Sequence, residues 1–145
     1  MTNKLDLSSI IDIVVVCLTG LIIFGAVVGA VFVQLLRPSR KLELQSYWDA
    51  FGETDGCENA LTYYKRSLSI SNFYGIPFSE IGCPDRKVFH EAAMNGLYRS
   101  IERSDGVKAL GLRQDLTLLT LIHATQGEKA AAANTFVTAK KQLAS

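Results

Sequence analysis

The chain has 145 residues, which is room for one small domain beside a membrane segment. Its charges nearly balance, at 15 Lys and Arg against 14 Asp and Glu, and residues 42–145 carry 11 basic against 12 acidic side chains. Proteins that bind a nucleic-acid backbone need clustered cations, so the composition disfavours a nucleic-acid partner.

A run without charged residues covers 13–36, between a short tail at 1–12 and a basic flank at 37–41. As a helix the run would be about 36 Å long, enough to cross a hydrocarbon core of about 30 Å. A cleaved secretory signal has a basic start and an apolar stretch of only about 7–15 residues, and this sequence shows neither. The pattern therefore predicts one transmembrane helix that lies in the lipid bilayer, followed by a small helical domain at 42–145.

The charges beside this run predict its orientation. Arg37, Arg40 and Lys41 follow it, whereas Lys4 is the one basic residue of the tail. The flank richer in Lys and Arg stays in the cytoplasm under the positive-inside rule. We therefore expect a single-pass membrane protein with a cytoplasmic C-terminal domain.

The cysteines leave two alternatives open. Cys17 lies in the apolar run, so Cys57 and Cys83 are the two cysteines of the predicted domain. They could form a disulfide if the domain faced an oxidising compartment, which would argue against the cytoplasmic placement. They could equally be two buried thiols, because free cysteine is among the most buried residue types.

Small residues within the apolar run suggest a second role for it. Gly25 and Gly29 are four residues apart and share one helix face, and Ala26 and Ala30 form the adjacent strip. Residues this small let another helix backbone approach closely. They predict a packing site for a transmembrane helix of another protein, or of a second copy of this chain in a homo-oligomer.

Apolar residues at helical spacing, interrupted by breaks rich in Gly, Asp and Pro, predict a mainly α-helical domain. The predicted helices cover residues 41–51, 57–71, 85–103, 110–124 and 128–143, with Asp85 as an N-cap. Residues 72–84 are predicted as an irregular loop that packs onto these helices. Its apolar side chains are also candidate partner contacts: Phe73, Tyr74, Ile76 and Phe78.

The last two predicted helices carry a pattern of glycine and small residues. Gly127 would end the first of them, and the second presents Ala132, Phe136 and Ala139. This arrangement resembles a tetratricopeptide repeat, in which small residues let two antiparallel helices pack closely. The first helix departs from the family pattern around Leu116, Thr120 and His123, while an earlier segment matches it at Ala60, Tyr64 and Ser67. The resemblance implies a concave surface for a peptide or protein and seldom accompanies catalysis.

No motif for catalysis or metal binding stands out. His90 is followed by a glutamate but lacks the second histidine of the HExxH zinc motif, and His123 lies on an apolar face typical of a core residue. Neither Cys57 nor Cys83 belongs to a CxxC pair, and the sequence has no phosphate-binding glycine loop or GxSxG turn. We therefore expect no enzymatic activity, no cofactor and no metal.

These features predict an accessory or scaffold subunit of a larger membrane complex. Its partners would be other membrane proteins or a soluble protein, docked through the helical domain. The alternative is an extracytoplasmic structural domain of an envelope assembly, closed by a Cys57–Cys83 disulfide.

Overall fold

The computed structural model describes the backbone of residues 7–143 and the side chains of residues 10–127. Within that part of the chain, helices follow one another and no strand occurs, which confirms the mainly α-helical class. The elements are α1 (Leu7–Phe51), α2 (Ala60–Tyr74), a short 3-10 helix (Phe78–Ile81), α3 (Arg86–Glu102) and α4 (Gly106–Leu143).

The chain divides into two units between Ser39 and Arg40. The first unit is the apolar part of α1. By length and composition, this helix is apolar enough to cross a membrane, and none of its most apolar stretch is buried. Large aliphatic side chains from Ile10 to Leu35 are exposed all round the helix. The uncharged run predicted such a long apolar helix, and its crossing of a membrane stays a prediction.

Two predicted boundaries of α1 are wrong. Residues 7–12 are helical although they were predicted as part of a tail, and the helix continues through Pro38 instead of beginning again at Lys41. A proline removes one backbone N–H and so one hydrogen bond to the carbonyl four residues earlier. The turns on either side keep their own hydrogen bonds, so this single loss does not end the helix.

The second unit has an aromatic core centred on Phe89 of α3. The ring centroid of Phe89 lies 4.6 Å from that of Phe78, 5.1 Å from Phe51 and 5.7 Å from Trp48. Phe89 is completely buried, so the end of α1, the 3-10 helix and α3 all meet on one side chain. Aliphatic residues complete this core: Leu44, Leu61, Leu68, Ile81, Leu97, Leu112 and Leu119.

An ionic cluster joins the end of α1 to α2. The Glu43 carboxylate accepts hydrogen bonds from Arg40 Nη1 at 2.6 Å and from the Tyr47 hydroxyl at 2.7 Å, and it also pairs with Arg66 of α2. Partial burial alone would raise the pKa of Glu43, but the hydrogen bonds from Tyr47, Arg66 and Arg40 outweigh it and lower this pKa to about 2. Glu43 is therefore charged at neutral pH.

The turn between α1 and α2 passes directly against α3. Gly56 has a φ of 89°, and a Cβ added to it would lie 2.6 Å from Ser100 N and 2.8 Å from Gly96 O. The next residue, Cys57, donates its backbone N–H to Gly96 O at 2.9 Å. A side chain at position 56 would therefore meet both an unfavourable backbone angle and backbone atoms.

Arg99 of α3 holds the end of α1. Its Nη2 donates to Phe51 O at 2.5 Å, and its Nε donates to Glu53 O at 3.1 Å. The last carbonyls of a helix have no partner within the helix, so a guanidinium placed here satisfies them and also interacts favourably with the helix dipole.

Helix α3 agrees well with its prediction. Asp85 is its N-cap, and the carboxylate accepts a hydrogen bond from Val88 N at 2.9 Å. Helix α2 begins and ends three residues later than predicted. Gly75 ends it in a left-handed conformation, so residues 72–74 belong to the helix and not to the irregular loop.

The predicted turn at Gly127 is wrong. Helix α4 continues through this residue to Leu143, so the two-helix hairpin on which the tetratricopeptide resemblance rested is absent. Gly127 does not have a positive φ, and a glycine within a helix costs only about 1 kcal/mol relative to alanine. The side chains of Ala132, Phe136 and Ala139 lie outside the described residues.

Candidate functional site

The four predicted partner contacts separate into core and surface. Ile76 and Phe78 are buried, Tyr74 is half-buried, and Phe73 is 68% exposed. The reason is the left-handed Gly75, which turns the chain back so that Ile76 N donates to Ser71 O at 3.1 Å. Ile76 and Phe78 therefore belong to the core of the domain and not to its surface, whereas Phe73 is exposed and its contact with a partner stays a prediction.

Cys57 and Cys83 are both free and buried. Cys57 is hydrogen-bonded through its backbone to Gly96, whereas Cys83 Sγ donates to Asp85 O at 3.1 Å. Asp85 and Gly96 are separated by about 16 Å along the axis of α3. A disulfide requires Cα atoms within about 7 Å, and the two thiols contact distant positions of α3 and are not bonded to each other. Burial raises the pKa of both thiols.

The glycine strip of α1 has open space around it. A Cβ added at Gly25 or at Gly29 would meet no atom within 4 Å. These glycines are therefore not needed for any close approach among the residues that the structure describes. The predicted packing of a second helix on Gly25, Gly29, Ala26 and Ala30 stays a prediction.

Two histidines that the sequence placed on separate helices meet between α3 and α4. The rings of His90 and His123 stack with centroids 4.1 Å apart and an angle of 14° between their planes. His90 Nε2 lies 3.2 Å from Leu119 O, and Tyr64 packs its ring edge-on against His90 at 5.3 Å. Burial, and then the neighbouring His123, lower the pKa of His90.

A cavity of about 340 Å³ opens beside this histidine pair, at the start of α3. It is lined by Asp85, Arg86, Lys87, His123, Gln126 and Gly127. Several buried polar atoms of these residues have no hydrogen-bond partner: Arg86 Nε and Nη2, His123 Nδ1 and Gln126 Oε1. Buried polar groups are nearly always satisfied in folded proteins, so their concentration at one cavity distinguishes this place from the rest of the domain.

Sequence reasoning missed this cavity. His90 and His123 are 33 residues apart and belong to no motif, and only the packing of α3 on α4 brings them together. No group of three His, Cys, Asp or Glu side chains placed to hold a metal ion occurs among the described residues.

Helix α4 also presents an apolar surface to solvent, called here the α4 apolar face. Its exposed side chains are Val107, Leu110, Leu118 and Leu121, with the polar Gln114 among them. The opposite side of the helix carries Leu112 and Leu119, which are buried in the core. A groove of about 440 Å³ runs beside the face, lined by Tyr98, Leu116, Thr117, Thr120, Leu121 and Ala124.

Comparison with known proteins adds no relative. No protein-family model, no curated protein and no solved structure matches the chain.

Proposed function

We propose that this protein is a single-pass, membrane-anchored interaction subunit whose α4 apolar face docks an amphipathic helix of a partner protein. The observation that supports this proposal most directly is that α4, between Gly106 and Gly127, has apolar side chains on two sides, of which one packs into the core and the other is exposed. Large exposed apolar patches on a folded domain mark interaction surfaces.

The anchor in this proposal is the apolar part of α1. Large hydrophobic side chains surround this helix and none of its most apolar stretch is buried. In water such a surface is unfavourable by about 25 cal/mol for each Å² of apolar area, whereas hydrocarbon solvates it. The basic flank of Arg37, Arg40 and Lys41 supports a cytoplasmic location for the domain that follows.

A helix is the occupant that best suits the α4 apolar face. Val107 and Leu121 are separated by about 21 Å along the axis, which is roughly four turns. An apolar stripe of this length and spacing packs against a similar stripe on another helix. Thr117 and Thr120 line the neighbouring groove and could accept polar side chains at the edge of such a contact.

The alternative function is a disulfide-closed domain of an envelope assembly. It depends on a bond between Cys57 and Cys83, and both are free, buried thiols in this structure. We therefore retain only the interaction subunit.

Photocrosslinking in native membranes tests the docking surface. The full chain would carry p-benzoylphenylalanine at Leu118, or at Arg113 as a matched control that is also exposed on α4 but lies beside the apolar face. We expect a discrete crosslinked product from position 118 and none from 113. Mass spectrometry should place the crosslinked partner residue on the apolar side of a helix.

Two results would contradict the proposal. Equal, diffuse labelling from positions 118 and 113 would show that α4 faces only solvent. A crosslink from 118 to lipid, with no protein product, would show that the α4 apolar face contacts the membrane surface and not a partner helix.

A further inference from the structure

We propose that the cavity between α3 and α4 binds the oxyanion group, a phosphate or a carboxylate, of a small molecule, with Arg86 as its main ligand. This inference does not depend on the proposed function, because it uses no residue of the α4 apolar face. It rests on the geometry of the guanidinium, the charges that line the cavity and the pair of histidines beside it.

Arg86 offers the correct edge for an oxyanion. Its unpartnered atoms are Nε and Nη2, and both are buried. These two nitrogens form one side of the guanidinium and point two N–H groups in parallel, which is the fork that carboxylates and phosphates accept with two oxygens. A buried guanidinium edge without an acceptor is costly, and an oxyanion would satisfy both N–H groups at once.

The neighbouring charges permit an anion. Asp85 lines the cavity, but its carboxylate already accepts the hydrogen bond from Val88 N as the cap of α3. The start of α3 is therefore occupied by its own cap and is not the basis of the site. Lys87 Nζ lies 3.9 Å from Glu91, a long and exposed pair that leaves the lysine able to contribute positive potential.

His123 and Gln126 would supply the remaining contacts. His123 Nδ1 and the Gln126 amide oxygen are buried without partners, and the imidazole can donate or accept according to its tautomer. The amide nitrogen and oxygen of a glutamine exchange places by a rotation of the side chain, so Gln126 can also present a donor. A cation is disfavoured here because the guanidinium of Arg86 would repel it.

The volume indicates a group larger than a bare ion. A cavity of about 340 Å³ falls at the lower end of the range for small-molecule sites, about 300–1,000 Å³. The ligand class is thus a small metabolite or headgroup with one phosphate or carboxylate. Because His123 lines the cavity and stacks on His90, a bound anion would change the surroundings of both rings.

The two histidines make the test direct. The full chain, in a mild detergent without phosphate, would be labelled with ¹³C-histidine, so that its two imidazoles give two ring signals. Inorganic phosphate is titrated against chloride at constant ionic strength and neutral pH, and acetate is titrated in a parallel series. We expect a saturable shift of the His123 signal, with a smaller shift of His90.

Three variants identify the ligand residue. Arg86→Gln should weaken binding by about tenfold or more, because it removes a charge-assisted bidentate contact. Arg86→Lys keeps the charge but not the fork, and should give an intermediate affinity. Arg113→Gln removes an exposed charge elsewhere on α4 and should leave the affinity unchanged. Circular dichroism checks that each variant is folded. If Arg86→Gln is unfolded, the affinity of Arg86→Lys tests whether Arg86 binds the anion.

A parallel titration with monomeric dihexanoyl phosphatidic acid distinguishes the source of the oxyanion. Saturation by inorganic phosphate or acetate supports a free metabolite, and saturation by the lipid alone supports a headgroup. The absence of a saturable shift with all three probes would overturn the proposal. An equal loss of anion affinity in the Arg86 and Arg113 variants would also overturn it, because it would show that the anion is attracted by the overall positive charge and not bound at one site.

Discussion

The apolar part of α1 and helix α4 both expose large hydrophobic side chains, but they distribute them differently. Around α1 the exposed residues occupy every direction, from Ile10 to Leu35. On α4, as far as Gly127, they occupy one side, and Leu112 and Leu119 on the other side are buried. The amount of exposed apolar surface is therefore less informative than its arrangement. A helix that is apolar all round suits a uniform apolar solvent, whereas one with two apolar sides suits two different protein surfaces.

The largest effect is expected from placing charges in the apolar part of α1. Replacing Leu21 and Val28 together by lysine should move the protein out of the membrane fraction, because each charge at a span centre costs about 2.5–3.5 kcal/mol. Carbonate extraction followed by sedimentation measures the fraction retained. Leu42→Lys, at an exposed site of α1 beyond the apolar run, should stay in the pellet. A wild-type protein released by carbonate would contradict the anchor.

The next largest effects are expected from replacing glycines, whose surroundings differ between the two units. Gly56→Ala should destabilise the domain by about 4 kcal/mol, because the methyl group meets the backbone of α3 at an unfavourable φ. Gly75→Ala has a positive φ but open space, so it should cost only about 1 kcal/mol. Gly25→Ala should leave the unfolding transition of the domain unchanged. Urea unfolding of the full chain in detergent measures all three variants. Similar losses of stability at positions 56 and 75 would show that the close contact of Gly56 with α3 adds nothing to the cost of its positive φ.

Adjacent leucines test the two sides of α4. Leu119 is completely buried and Leu118 is 44% exposed. Leu119→Ala should lower the free energy of unfolding by about 3 kcal/mol, whereas Leu118→Ala should change it by about 0.5 kcal/mol or less. The same unfolding measurement applies. A loss at position 118 as large as that at 119 would mean that the α4 apolar face belongs to the core of this domain.

The smallest expected effect is a pH dependence from His90. Its pKa is lowered in the folded state, so the unfolded chain binds the proton more readily. The contribution of neutral His90 to the free energy of unfolding should be fully present above pH 6.5, the ordinary pKa of histidine. It should be lost as the pH falls below that value. Glu43 acts in a separate window, because its stabilisation is lost only as the pH falls from 4.5 towards 2. Urea midpoints between neutral and mildly acidic pH measure the slope, which His90→Gln should flatten. An unchanged slope in that variant would assign the titration to another group.

The sequence predicted those features that depend on neighbours along the chain. The uncharged run, the cap at Asp85 and the extent of α3 follow from local composition, and the structure agrees with them. Gly127 misled the prediction because a glycine can end a helix or remain within it, and only the surrounding packing decides. The same holds for Ile76 and Phe78, whose apolarity suits a core as well as a partner contact.

The candidate site depended on distant residues and was not predictable. Arg86 sits at the first turn of α3, and His123 lies more than thirty residues later on α4. No spacing along the chain encodes that they line one cavity, since this requires the crossing of two helices. The orphaned polar atoms become visible only when burial and hydrogen bonding are known together.

The contact between Arg99 and the end of α1 has a consequence for biosynthesis. The guanidinium reaches Phe51 O across a separation of 48 residues. At a synthesis rate of about 5–20 residues per second, roughly 2–10 s pass between the emergence of the two partners. During that interval the end of α1 lacks its clamp, and for most of it the aromatic core also lacks Phe89. The apolar part of α1 is therefore synthesised before the domain can fold, and the domain completes its core only after α3 has emerged.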